Sequence, residues 1–182
     1  KLLARHGASL MARRQAIPGE LGEALAEAYR RFARAPETPG LHYEPAGEAA
    51  DEASLREQYA RQRERDRARG HTRAGPHRDD LAFTLDGHPA RSYASEGQQR
   101  GLVIALRLAQ LAWYRGCSGQ APLLLADDVL NELDPRRQAA FWEGVGADLQ
   151  VIATGTRAPG TSGGRDWRIL EVEGGTFREH AG

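Results

Sequence analysis

Lysine is almost missing from this 182-residue sequence: Lys1 stands alone, and every other member of the 25 Lys and Arg is arginine. That absence excludes a phosphate-binding P-loop, G-x-x-x-x-G-K-[ST], which needs an interior lysine behind a glycine turn. A single cysteine, Cys117, excludes an internal disulfide framework and is compatible with a reducing cytoplasm. The six histidines are scattered and show no Cys/His ligand spacing for zinc. Ser95 lacks a G-x-S-x-G elbow, which argues against its being a hydrolase nucleophile. No apolar run approaches the roughly 18 residues of a spanning helix and no secretory leader is present, so the expectation is a cytoplasmic protein with no membrane partner. Net charge is zero, so any attraction to nucleic acid must be local. The first residue is Lys1 rather than methionine, which reads as a fragment or a processed product.

What is present suits one domain, or one domain with a helical extension: 40% apolar residues for a core and 27% charged residues for a surface. Leu2, Leu3, Leu10 and Met11 open a short helical pattern. From Ile17 the series Ile17, Leu21, Leu25, Ala28, Phe32 steps by three and four along one face. Glu20, Glu23 and Glu27 precede Arg30, Arg31 and Arg34, the order that suits a helix dipole, and Pro36, Pro39 and Gly40 end the segment. Residues 41–45 read as a short edge strand limited by Pro45. Residues 51–69 form a second, very polar helix in which Arg61, Arg65 and Arg69 share one face. That strip reads either as a phosphate-contacting surface or as a solvated face with Glu64 and Asp66 interleaved.

Gly70 and Gly75-Pro76 mark a break, after which the texture is α/β. Residues 81–85 alternate and end at Asp86-Gly87, a hairpin signal, with 91–94 as the returning strand. A helix of roughly 18 residues follows to Arg115-Gly116. Then come a strand over 123–126, a short helix from Pro135 and a strand over 150–153. A loop over 161–164 precedes a closing hairpin, 168–173 and 176–179. Trp113, Phe141 and Trp142 fall on amphipathic helices and read as core. The division is a helical arm over 1–70 and an α/β lobe over 71–182.

Three motifs carry chemistry. In Ser95-Glu96-Gly97-Gln98-Gln99, Ser at an N-cap with Gln three positions later is a capping-box pattern, Gly97 permits close approach of a ligand, and free N–H groups at a helix start favour an anion. Simple capping explains the same residues. The run 123–126 is apolar without alternation, as in a strand covered on both faces, and ends on Asp127-Asp128. A carboxylate there sits where open α/β sheets bind ligands. Asp127 then suits Mg²⁺ and Asp128 suits the orienting or deprotonation of water; a turn or a helix-start pair is the plain alternative. Asn131-Glu132-Leu133-Asp134 ends with Asp134 as N-cap and Pro135 at the first helical position.

In this order, with this helix between them, the motifs resemble the distal half of an ABC-type nucleotide-binding head. Within that class they resemble the SMC-like RecF family of DNA replication and repair. The match is sharp over 75–137, including Gly75-Pro-His77-Arg78-Asp-Asp-Leu81, and loose over 1–70. The resemblance implies an α/β fold, the C-terminal lobe of an ABC-type head with a mainly parallel sheet, plus a partial helical arm. It implies ATP and Mg²⁺ as cofactors of an intact ATPase, with Asp127 on the metal and Asp128 as the catalytic carboxylate, at the position most ABC ATPases fill with glutamate. Ser95, Glu96, Gly97, Gln98 and Gln99 become a signature motif acting on the opposite protomer's nucleotide, and Asn131, Glu132, Leu133 and Asp134 a D-loop on the shared interface. Thr154 or Thr156 stands where many relatives have a switch histidine. His77 and Arg78 match without a derived role. The implied partners are DNA, double-stranded or at single-strand/double-strand junctions, a second copy in an ATP-dependent homodimer, and recombination mediator proteins. The implied setting is DNA repair, replication and the SOS response. This chain alone, without a P-loop, is expected to be inactive. Two alternatives stand beside that reading: a non-catalytic DNA- or partner-binding scaffold module using Arg61, Arg65 and Arg69, and another SMC-like repair ATPase head fragment.

Overall fold

The computed structural model describes residues 1–33, 36–157 and 165–179, without the side chains of Leu130 and Glu132. Arg34 and the expected loop over 161–164 lie outside the described residues. In chain order the elements are helix α1 (Leu2–Ala33), strand β1 (Pro39–Glu44), helix α2 (Glu52–Arg69), a 3-10 turn (Pro76–Arg78), β2 (Asp80–Leu85), β3 (His88–Pro89), α3 (Ala90–Tyr93), α4 (Glu96–Ser118), β4 (Leu124–Ala126), a second 3-10 turn (Val129–Glu132), α5 (Pro135–Val145), β5 (Val151–Ala153), β6 (Leu170–Glu173) and β7 (Thr176–Glu179).

The two helical patterns expected before residue 34 are one continuous helix, with Pro18 inside it. Tertiary packing overrides the proline: Met11 is buried with Leu55 of α2 on one side of it, and Leu21, Leu25 and Tyr29 are buried with α4 and the first sheet on the other. Leu2 and Leu3 do not join either cluster and stay exposed. A third cluster packs Phe32 with Leu108 and Leu111 of α4 and Phe141, Trp142 and Val145 of α5. Trp113, expected in the core, is exposed beside Tyr114, because α4 runs on to Ser118.

Strands β1, β2 and β3 form an antiparallel sheet in that order, with Leu41 opposite Phe83. The strand pair β1–β2 crosses residue 70. The Asp86-Gly87 turn is as expected, but the return is only His88–Pro89, and residues 91–94 begin a helical turn instead. Pro89 has no N–H to extend the ladder, which ends the strand there. Strands β4 and β5 pair in parallel with Leu125 opposite Ile152, and β6 and β7 form an antiparallel hairpin around Gly174-Gly175. The expectation that β4 is covered on both faces fails: Leu125 is 68% and Ile152 54% exposed, although Ala126 is buried. Among the described residues no helix is long and apolar enough to cross a membrane.

Candidate functional site

Helix α4 begins as its sequence dictates. Ser95 is the N-cap, its Oγ accepting from Gln98 N–H at 3.3 Å while Gln98 Oε1 accepts from Ser95 N–H at 2.7 Å. Gln99 donates to the carbonyl of Ala94 at 3.0 Å, and Arg100 pairs with Glu96 at 2.7 Å. Capping is therefore real, and it accounts for Ser95 and Gln98. It does not account for Gly97. That residue is an ordinary helical position, and a Cβ built on it would meet only Arg137 Nη1, at 3.8 Å. Nothing in the chain's own packing requires a glycine there, while glycine costs helix stability relative to alanine.

At the carboxyl ends of the parallel pair, the candidates from sequence come together. Thr154 follows β5 and binds both aspartates after β4: its hydroxyl donates to Asp127 Oδ1 at 2.5 Å and accepts from Asp128 N–H at 3.0 Å. The Thr154 N–H continues the ladder to Ala126 O at 2.9 Å. Asn131 closes the group. Its Nδ2 donates to Asp128 Oδ1, and its Oδ1 accepts from the Thr156 hydroxyl at 3.0 Å and the Thr156 N–H at 3.3 Å. Asp128 holds φ +55°, a left-handed conformation that aspartate tolerates better than most residues. The turn it creates aims Asp127 and Asp128 outward, and both are exposed.

A groove of about 460 Å³ has both halves of this arrangement on its walls: Glu96, Gln99 and Arg100 from α4, and Asp127 and Asp128 from the strand end, with Val103 between them. Among the described residues no group of three or more His, Cys, Asp or Glu is placed to hold a metal unaided. Magnesium bound together with phosphates takes only one or two protein carboxylates and keeps several waters, so the single exposed carboxylate of Asp127 fits that mode and not a stand-alone site.

Asp134 caps α5, accepting from Arg137 N–H at 3.0 Å, and Leu133 is buried beside it. Arg137 then lies 3.7 Å from Asp134 Oδ2 and lines a smaller pocket of about 120 Å³ with Gly97 and Arg100. Sequence reasoning missed Arg137, whose proximity to Gly97 depends on how α5 packs on α4. It also missed Glu37, whose Oε1 accepts from Gln98 Nε2 at 2.9 Å.

The arginine strip is elsewhere. Arg61, Arg65 and Arg69 are all exposed on α2 and make no hydrogen bond to the cluster; Arg61 pairs with Glu57 at 3.6 Å. In the 75–81 segment His77 binds the carbonyl of Thr72 at 2.9 Å, a loop-capping contact, and Arg78 is exposed. The working residue there is Asp79. Its side chain is 3% exposed and accepts from Tyr43 Oη and, at 2.9 Å, from Ala46 N–H. Burial, then the bond to Asp79, pushes the Tyr43 phenol up to about 12.

Comparison with known proteins gives these motifs their context. No protein-family model matches the chain. The DNA replication and repair protein RecF of Anaeromyxobacter sp. (strain Fw109-5) is 40% identical over 184 residues, covering 95% of this chain and 50% of the relative. The protein of the same name from Synechococcus sp. (strain CC9605) is 46% identical over 135 residues, 70% of this chain and 37% of the relative. A solved structure described as the recombination mediator protein RecF-ATPrS in the RecFOR pathway superposes with a TM-score of 0.76 at 22% identity, covering 98% of this chain and 48% of that one. A RecF-ATP structure gives 0.74. The chain spans about half the length, or less, of the curated relatives it matches.

Proposed function

We propose, from the premise that this chain is a RecF-type DNA repair sequence over about half the length of its curated relatives, that it supplies one side of two composite ATPase sites. The observation that carries the reading is Gly97, a glycine in the first turn of α4 that the chain's own packing does not require. A residue kept small without an internal reason is explained by something approaching from outside, and the free N–H groups beside it suit a phosphate. In this reading Ser95, Gly97 and their neighbours Glu96, Gln98 and Gln99 meet the nucleotide of a second copy. Asp127 and Asp128 serve a nucleotide held by a P-loop this chain lacks.

Each residue's work follows from its chemistry. Asp127, oriented by Thr154, holds one coordination position of Mg²⁺, which neutralises phosphate charge when bound. Asp128 is pinned by Thr154 and Asn131 and accepts a hydrogen bond from the attacking water, aligning it. Thr154 and Thr156 link the aspartates to the segment after β5, the place of a phosphate-sensing switch. Asn131, Glu132, Leu133 and Asp134 form the D-loop between copies. The uncovered face of Leu125 and Ile152 is the seat for further elements of the head. The intact protein then dimerises with ATP, binds DNA through Arg61, Arg65 and Arg69 and works with recombination mediators in the cytoplasm. Residues 1–70 act as its arm and 71–182 as its lobe.

The exposure of all three arginines also favours a second reading, a scaffold that binds DNA without using ATP. Gly97→Ala separates the two in the intact protein. Alanine gains up to about 1 kcal/mol in a helix, so the variant is expected to be at least as stable as the wild type yet to lose ATP-dependent dimerisation. Unchanged dimerisation and turnover would favour the scaffold. For the 182-residue chain itself, isothermal titration is expected to show no ATP binding in the micromolar range.

A further inference from the structure

Gln98 is engaged at both ends of its amide. Its Oε1 accepts from Ser95 N–H, and its Nε2 donates to Glu37 Oε1 in a part-buried bond 61 residues apart in sequence. Glu37 is rigidly rooted, because its neighbour Thr38 is tied twice to the β2–β3 turn: Thr38 N–H donates to Asp86 Oδ1 at 2.8 Å and Asp86 N–H to Thr38 O at 2.9 Å. The second carboxylate oxygen, Glu37 Oε2, is buried with no partner among the described residues, and so is the hydroxyl of Tyr29. Tyr29 comes from α1, and its ring lies 3.5 Å from where a Cβ on Gly101 of α4 would be. Burial, then the charge of Glu37, raises the Tyr29 phenol above its ordinary range.

Buried polar atoms left unpaired are rare, because each forfeits its bonds to water. Two of them, one on Glu37 beneath the first turn of α4 and one on Tyr29, whose ring lies against Gly101 in the next turn, are not a device for stability. A hydrogen-bonded strut with a fixed root is what an outer shell needs in order to hold a contact residue in direction.

We propose that Glu37 is the positioning residue of the 95–99 turn: by holding the Gln98 amide from the α1–β1 connection, it fixes where Ser95 Oγ and the first N–H groups of α4 point. The proposal rests on the reading above, in which that turn meets a nucleotide held by a second copy. Glu37 itself touches no ligand. Its loss therefore leaves nucleotide capture on the opposite side intact and misaligns the turn.

The test is ATP turnover by the intact protein carrying this sequence. Glu37→Ala is expected to lower kcat on the order of a hundredfold, the scale of an ångström-sized misplacement, with KM for ATP and the melting temperature little changed. Glu37→Gln keeps an acceptor for Gln98 and restores kcat. If Glu37→Ala does not fold, Glu37→Asp keeps the charge but falls one methylene short, and an intermediate loss is expected. Wild-type kcat in Glu37→Ala or Glu37→Asp overturns the proposal, as does a defect that Glu37→Gln does not relieve. Gly97→Ala run alongside reports on the underlying reading: if it too has wild-type turnover, the nucleotide role of the turn has failed and not merely the role of Glu37.

Discussion

Helices α2 and α4 both start with a capping box, Asp51 with Ser54 and Ser95 with Gln98, and both stop at a left-handed glycine, Gly70 and Gly119. Beyond their caps they share little. α4 buries six residues, Leu102, Ala105 and Leu108 among them, whereas α2 buries only Leu55. Caps and turn residues set where a helix begins and ends; the apolar face decides whether the rest of the molecule depends on it. α4 is built into two of the three clusters, and α2 joins one, through Leu55 with Tyr59 packed beside it.

The sharpest way to break that comparison is to truncate one anchor in each. Leu102→Ala is expected to cost about 3 kcal/mol of global stability in denaturant titration. Leu55→Ala is expected to release α2 locally, with its amides losing hydrogen-exchange protection while α4 keeps its own. Equal global losses would mean that α2 belongs to the cooperative core. The terminal glycines give a smaller contrast. Alanine in a left-handed position costs about 1 kcal/mol, and the thermal midpoint is expected to register Gly119→Ala but not Gly70→Ala. Smallest is the surface of α2: Arg61→Ala removes a pair whose partners are 69% and 68% exposed, and its effect should fall below about 0.5 kcal/mol. A double-mutant cycle with Glu57→Ala measures it.

The same contrast explains what the sequence disclosed. The starts of α4 and α5, the Asp86-Gly87 turn and the Gly174-Gly175 hairpin are short-range events, and local residues announce them. Thr154 and Thr156 are legible only through the family resemblance, which places a switch residue after the strand that follows Asp127; that this strand lies beside β4 is seen in the structure alone. The Glu37–Gln98 bond was invisible, since nothing near either residue encodes a contact 61 positions away. The left-handed turn at Asp128 left no glycine to mark it. The unbroken α1 was missed because packing on both sides outweighs a proline that local propensity treats as a stop. The naked face of β4 was misread because an apolar strand states that it will be covered, not by what.

Pro18 has one more consequence. Without an N–H it leaves the carbonyl of Arg14 off the helical ladder, and Gly19 and Gly22 just beyond it have nothing within 4 Å of their Cβ positions. A rod with a missing rung and bare neighbours bends there first. On one side of that joint α1 grips α2 through Ala4 and Met11; on the other it grips α4 through Leu25 and Tyr29. α2, which bears the arginines, and α4, which carries the 95–99 turn, thus pack on opposite sides of Pro18 on one helix.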